Sequence, residues 1–136
     1  MKATRRLIST GSAMEREIGY SRAVVQDGPG GRWVLISGTT GFDYSTMSMP
    51  QDAVAQTRNI FATLTRTLKE ADMALHDIIR VRYTVSDAQD IPKIIPVLGE
   101  FLGDIRPAAA MYVAGMLEER MKVEIEADAF CAIRDH

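Results

Sequence analysis

Two glutamates near the C-terminal end of the chain, Glu124 and Glu126, have the residue type and spacing for acid–base chemistry. Residues i and i+2 of a β-strand share one face and lie roughly 7 Å apart, at about 3.4 Å per residue. If burial raised the pKa of one carboxyl, the pair could act as general acid and general base. The same spacing fits a surface strand balanced by Arg80 and Arg82, and spacing alone favours this second interpretation.

Other catalytic signatures are missing from the sequence. It contains no HExxH, CxxC, GxSxG or GxxxxGK[ST] motif. The two histidines, His76 and His136, have no Cys, His or carboxylate at ligand spacing, and Cys131 is the single cysteine. We therefore expect neither a metal site nor a histidine-based nucleophile relay.

Charge, length and cysteine content indicate which class of protein this chain belongs to. The 136 residues carry 16 basic and 18 acidic side chains, a formal net charge of −2, which argues against a dedicated nucleic-acid binder. The length suits one domain, expected over 1–136. A single cysteine favours a reducing compartment. No apolar run is long enough for a signal peptide or a membrane span, so a cytoplasmic location is expected.

The elements that must position the glutamates follow from hydrophobic periodicity and turn residues. A hairpin with a longer, glycine-rich loop is predicted from residues 20–25 and 33–40, with a further strand near 2–8. A helix capped by Ser48 should run to about Asp72, and a second from about Asp90 to Leu102. Three more strands are predicted at 79–85, 111–114 and 121–129, and alternation puts Ile79 on the apolar face of the first. This order predicts an α+β fold, a mixed sheet with two helices on one face.

The helices can cover only one face of this sheet. The other face should carry charges of both signs: Arg80, Arg82, Lys122, Glu124, Glu126 and Asp128. A solvated face is the simpler interpretation, and packing against other subunits with the charges paired is the alternative.

Several segments in this order resemble the RidA/YjgF superfamily, also called the L-PSP or reactive-intermediate deaminase family. The segments run through most of the chain: GYSRAV (19–24), VLISGTTG (34–41), QTRNI (56–60), IIRVR (78–82), RPAA (106–109) and KVEIEA (122–127).

The resemblance implies a chorismate-mutase-like fold and a homotrimer with clefts between neighbouring subunits. It implies hydrolysis of small reactive enamines and imines, such as 2-aminoacrylate, to a carbonyl compound and ammonium, with no metal or bound cofactor. Glu124 matches the carboxylate that activates water, and Tyr20 matches a tyrosine of the cleft. Ser37 and Gly38 match the strand end whose backbone lines it.

The chain departs from the family pattern at Ala109, where archetypal deaminases carry the arginine that clamps the substrate carboxylate. A guanidinium–carboxylate pair supplies both charge and orientation, so its loss should weaken 2-aminoacrylate binding. Arg106 is a candidate replacement cation, and Ala109 with Met111 would make the cleft more apolar. Three hypotheses follow: an imine or enamine hydrolase, a trimer that binds a small metabolite without turnover, and, ranked last, a ribonuclease.

Overall fold

The computed structural model describes residues 3–132, which form one six-stranded sheet with helices on one face. The elements in chain order are β1 (Thr4–Ile8), α1 (Ala13–Ile18), β2 (Ala23–Gly28), β3 (Gly31–Thr40), α2 (Ala53–Glu70), β4 (Ile78–Val85), α3 (Ile91–Leu102), β5 (Ala108–Val113) and β6 (Val123–Ala132).

The sheet order is β1-β2-β3-β6-β4-β5, and the predicted α+β class is confirmed. Strand β5 runs parallel to β4, to which α3 connects it, and the other neighbours are antiparallel. The last strand therefore lies in the middle of the sheet, between β3 and β4. This placement surrounds Glu124 with residues from two other strands.

The core lies between the sheet and the α2–α3 layer. Helix α2 buries the apolar stripe that its sequence predicts, including Ile60, Leu64 and Leu68. Phe61 stacks on Phe101 of α3, with ring centroids 4.4 Å apart. The sheet contributes its alternate residues, such as Val123 and Ile125 of β6, and leaves Glu124 and Glu126 on the open face.

Helix α2 begins later than the sequence predicted. Asp52 caps it by accepting a hydrogen bond from the backbone N–H of Ala55 at 2.8 Å. Ser48, the predicted cap, instead pairs its backbone with Asp43 and its hydroxyl with Thr46, 2.7 Å away. Ser48 is therefore engaged in the turn before α2 and does not cap the helix.

Other details of the strands also differ from the prediction. The β2–β3 loop is only two residues, because Gly28 and Gly31 already pair. Ile79 is 44% exposed rather than on the apolar face, because a register shift follows Ile78 in β4. Strand β5 begins at Ala108, before the predicted start, and β6 extends to Ala132.

Helix α1 was not predicted, although Ser12 and Glu15 have capping-box spacing. Ser12 accepts a hydrogen bond from the backbone N–H of Glu15 at 3.3 Å. The Glu15 carboxylate is buried and accepts from Ser9, Thr10 and Ser12. These bonds hold the pKa of Glu15 below its ordinary value, although burial acts in the opposite direction.

Gln56 fixes α2 to the segment that leads into β6. Its side chain is fully buried, and its amide nitrogen donates to the carbonyls of Pro50 and Arg120, both at 2.8 Å. Its amide oxygen accepts from the backbone N–H of Lys122 at 3.0 Å. A side chain at Gly41 would collide with Gln56, its Cβ lying 2.6 Å from that of Gln56.

Replacing Gln56 should therefore destabilise the fold. Gln56→Ala removes three hydrogen bonds made by a fully buried side chain, which should lower the free energy of unfolding by about 2–4 kcal/mol. Urea unfolding at one fixed protein concentration measures the change. The exposed Gln51→Ala is the matched control, with an expected change within about 0.5 kcal/mol. Equal unfolding midpoints for the two variants would contradict the role given to Gln56.

Candidate functional site

A bulge in β3 builds the floor of the candidate site. The pairing of β3 with β6 shifts register between Ile36 and Thr39, so Ser37 and Gly38 leave the regular ladder. The Ser37 N–H donates to the carbonyl of Arg22 at 3.0 Å, and its hydroxyl donates to the carbonyl of Ser21 at 2.6 Å. The two residues just before β2 therefore hold the bulge in place by hydrogen bonds.

Gly38 and the Glu124 carboxyl are in direct contact. A Cβ at position 38 would lie 2.7 Å from the carboxyl carbon of Glu124 and 2.8 Å from Oε1. Any side chain at position 38 would have to displace that carboxyl group. The absence of a side chain at Gly38 therefore lets the carboxyl end of Glu124 lie against the backbone, which agrees with pairing Gly38 and Glu124 in one site.

The two glutamates have different environments. Glu126 pairs with Arg82 across the strands at 2.9 Å, as the sequence suggested for a surface strand. Glu124 is half-buried, and no salt bridge to it occurs among residues 3–132. Burial raises the pKa of Glu124, the charge of Glu126 adds to the rise, and Arg22 opposes it. Glu124 is therefore suited to accept a proton and return it.

Arg22 is the site residue that sequence reasoning missed. Its side chain is only 2% exposed, and it donates to the Gly38 carbonyl at 2.6 Å and to the Tyr44 hydroxyl at 3.1 Å. Its guanidinium carbon lies 5.4 Å from the ring centre of Tyr44 and 6.0 Å from that of Tyr20. The sequence signal that could have identified Arg22 is a charged residue placed between Tyr20 and the apolar residues that begin β2.

Tyr20 joins this group through α1. Gly19 ends the helix in the left-handed conformation, with φ of 89°, and the Tyr20 N–H donates to the carbonyl of Glu15 at 3.0 Å. Burial raises the pKa of Tyr20, with Arg22 opposing the rise. Its phenol therefore stays protonated at neutral pH and can donate a hydrogen bond.

The structure brings Tyr20, Ser37, Gly38 and Glu124 together, but three other predicted site residues lie elsewhere in the chain. Ala109 and Met111 pair with Val81 and Tyr83, on the helix-covered face of the sheet, opposite to Glu124. Arg106 is exposed, with φ of 57°, just before β5.

Strand register separates these residues from Glu124. Glu124 lies opposite Thr84, and Thr84 lies opposite Tyr112 of β5. The first residue of β5, Ala108, is four residues before Tyr112, or roughly 13 Å along the strand. Within one chain, Arg106 therefore does not reach Glu124. A substrate role for Arg106, Ala109 or Met111 depends on a second chain and stays a prediction.

No metal-binding group of three His, Cys, Asp or Glu side chains occurs between residues 3 and 132. Within the same range, no helix is both long and apolar enough to span a membrane.

Comparisons with known proteins give one consistent result. The family model described as Endoribonuclease L-PSP matches residues 10–131. A RutC family protein of Pyrococcus horikoshii is 29% identical over 112 residues, covering 82% of this chain and 86% of that protein. The RutC family protein UK114 of Drosophila melanogaster is 30% identical over 123 residues, covering 90% of this chain and 86% of that protein.

Solved structures agree with these sequence matches. A member of the YjgF/YER057c/UK114 family from Mycobacterium tuberculosis superposes with a TM-score of 0.81 at 35% identity, covering 94% of this chain and 100% of that one. RidA from a Psychrobacter species superposes with a TM-score of 0.75 at 26% identity, covering 92% of this chain and 94% of that one. The predicted YjgF-type, chorismate-mutase-like fold is confirmed. The chain belongs to the Endoribonuclease L-PSP family of the RidA/YjgF superfamily.

Proposed function

We propose that the protein hydrolyses small imines or enamines to a carbonyl compound and ammonium, with Glu124 as the acid–base group. The observation that carries this proposal is the half-buried Glu124 carboxyl, its pKa raised by burial and by Glu126, in contact with Gly38. Such a carboxyl can exchange protons closer to neutral pH than an exposed glutamate. Family membership supports the choice of imine chemistry.

The proposed reaction starts from the protonated imine and passes through a carbinolamine. The Glu124 carboxylate accepts a proton from water as the water oxygen bonds to the imine carbon, and the C=N π electron pair moves to nitrogen. The protonated Glu124 then donates its proton to the amine nitrogen, and the carboxylate takes the hydroxyl proton as the C–N bond breaks. This leaves the carbonyl compound and ammonia, which takes the proton from Glu124 and departs as ammonium. An enamine first takes a proton at its carbon to become the protonated imine. Tyr20 orients the substrate through its protonated phenol.

We place this reaction in a cleft between subunits of a homotrimer. The open sheet face exposes two large apolar side chains, Trp33 at 44% and Leu35 at 47%, beside the charged pair Arg82–Glu126. The edge strand β5 exposes Tyr112 at 56% and Val113 at 55%. An exposed apolar face and an edge strand with one unpaired side are surfaces against which further copies of this chain could pack. A second copy could also bring its β5 region to Glu124.

Loss of Glu124 should abolish turnover. For Glu124→Gln we expect the rate of ammonium release from imines generated in situ to fall about 100-fold or more, because the amide cannot transfer the proton. The exposed Glu119→Gln is the control and should match the wild type. If the wild type binds the imine-derived ligands but releases ammonium no faster than buffer, the protein is a binding module and this proposal is wrong.

The pH profile should report the environment of Glu124. The carboxylate form is the base, so kcat/KM should fall as pH drops through a pKa above the ordinary 4.5 of a glutamate. Glu126→Gln removes one cause of that rise and should move the acid limb to lower pH. If the acid limb of the Glu126→Gln profile stays at the same pH as in the wild type, Glu124 is not the titrating group.

Position 109 should control which imines are accepted. Ala109→Arg restores a cation for a substrate carboxylate, and kcat/KM for 2-aminoacrylate should rise about tenfold or more. The matched control is Ala88→Arg, an exposed alanine between β4 and α3, outside β5. Equal rates for both variants would remove position 109 from the substrate site.

A further inference from the structure

A cavity that does not include Glu124 lies between α2 and the ends of β1 and β2. Its volume is about 500 Å³, large enough for a small metabolite. Lining residues include Thr10, Arg22, Asp43, Thr63, Arg66 and Glu70. Neither Glu124, Gly38 nor Tyr20 lines it, so the cavity is distinct from the proposed hydrolytic site.

Arg22 contributes a buried charge to this cavity. The guanidinium has five N–H donors, and its two hydrogen bonds go to a carbonyl and a phenol, both uncharged. The buried Nε has no hydrogen-bond partner in the part of the chain that the structure describes. No salt bridge to Arg22 occurs within residues 3–132. A buried cation without an anionic partner is costly, so a bound anion would stabilise it.

Arg66 supplies a second cation from α2. Its Nη2 donates to the hydroxyl of Thr63 at 3.3 Å, which holds the side chain beside the cavity. Like Arg22, it makes no salt bridge within the described range. Two guanidinium groups on one cavity supply charged donors of the kind that bind carboxylates and phosphates.

The cavity also contains two carboxylates, which do not cancel this preference. Asp43, Glu70 and Arg66 are all exposed, so water screens these three charges, whereas the charge of Arg22 is buried. One oxygen of Asp43 is already bonded to the backbone N–H and the hydroxyl of Ser45, at 3.0 and 2.6 Å. Because Arg22 is the buried charge of the cavity, we expect the ligand group beside it to be negatively charged.

We propose that this cavity binds a small anion through a carboxylate or phosphate group held by Arg22 and Arg66. The occupant would also be linked to the hydrolytic site, because Arg22 bonds to the carbonyl of Gly38, which contacts Glu124. Binding neutralises a charge that otherwise favours the ionised form of Glu124. The anion would act as an effector of the neighbouring site rather than as its substrate.

Isothermal titration calorimetry with inorganic phosphate and, separately, with propionate tests the proposal directly, whether or not the protein hydrolyses imines. We expect at least one of the two anions to saturate the wild type. Whichever binds more tightly identifies the group that the cavity prefers. Arg66→Gln should weaken that binding about tenfold or more, as loss of a charge-assisted hydrogen bond requires.

Arg58→Gln is the matched control, because Arg58 lies on the same helix but pairs with Glu100 at 2.7 Å, outside the cavity. It should bind the anion as the wild type does. The ¹⁵Nε resonance of Arg22 gives a second readout and should shift during the titration. The proposal is overturned if neither anion saturates the wild type at 20 mM, roughly the weak limit for a specific site. Equal affinities for Arg66→Gln and Arg58→Gln would also overturn it.

Discussion

The shift in register between β3 and β6 is the constraint on which the candidate site depends. Regular pairing would carry Ser37 and Gly38 through the ladder and leave Glu124 as one more surface carboxylate of β6. The shift instead presents the Cα of Gly38 to the Glu124 carboxyl and turns the Gly38 carbonyl toward Arg22. The close approach of Gly38 covers part of the Glu124 carboxyl, and burial of that carboxyl raises its pKa.

Arg22 connects the features on either side of this bulge. It is a fully desolvated cation that bonds to neutral oxygens, packs between two tyrosines and lines a cavity that Glu124 does not share. A buried charge of this kind needs either a functional reason or an anionic partner. Its position lets one side chain influence the acid–base group and a separate binding cavity at once.

Much of the fold could be predicted because periodicity reports burial directly. The stripe of α2 and the alternation in β6 each had a single consistent interpretation, and the family segments agreed with them. Prediction failed where local signals competed. Ser48 and Asp52 are both good caps, and only the pairing of Ser48 with Asp43 selects Asp52. The bulge after Ile78 likewise exposes Ile79, which strict alternation had placed inside.

By itself, the sequence determined the α+β class and the apolar faces, because these depend on short-range spacing and residue type. It associated Glu124 with Gly38 only through its resemblance to a family. Tertiary structure alone decided that, within residues 3–132, only one of the two glutamates forms a salt bridge, that Arg22 is buried near Glu124, and that Ala109 lies on the opposite face of the sheet. The physical reason is that pKa values, desolvation and charge pairing depend on cross-strand neighbours, which chain order does not contain.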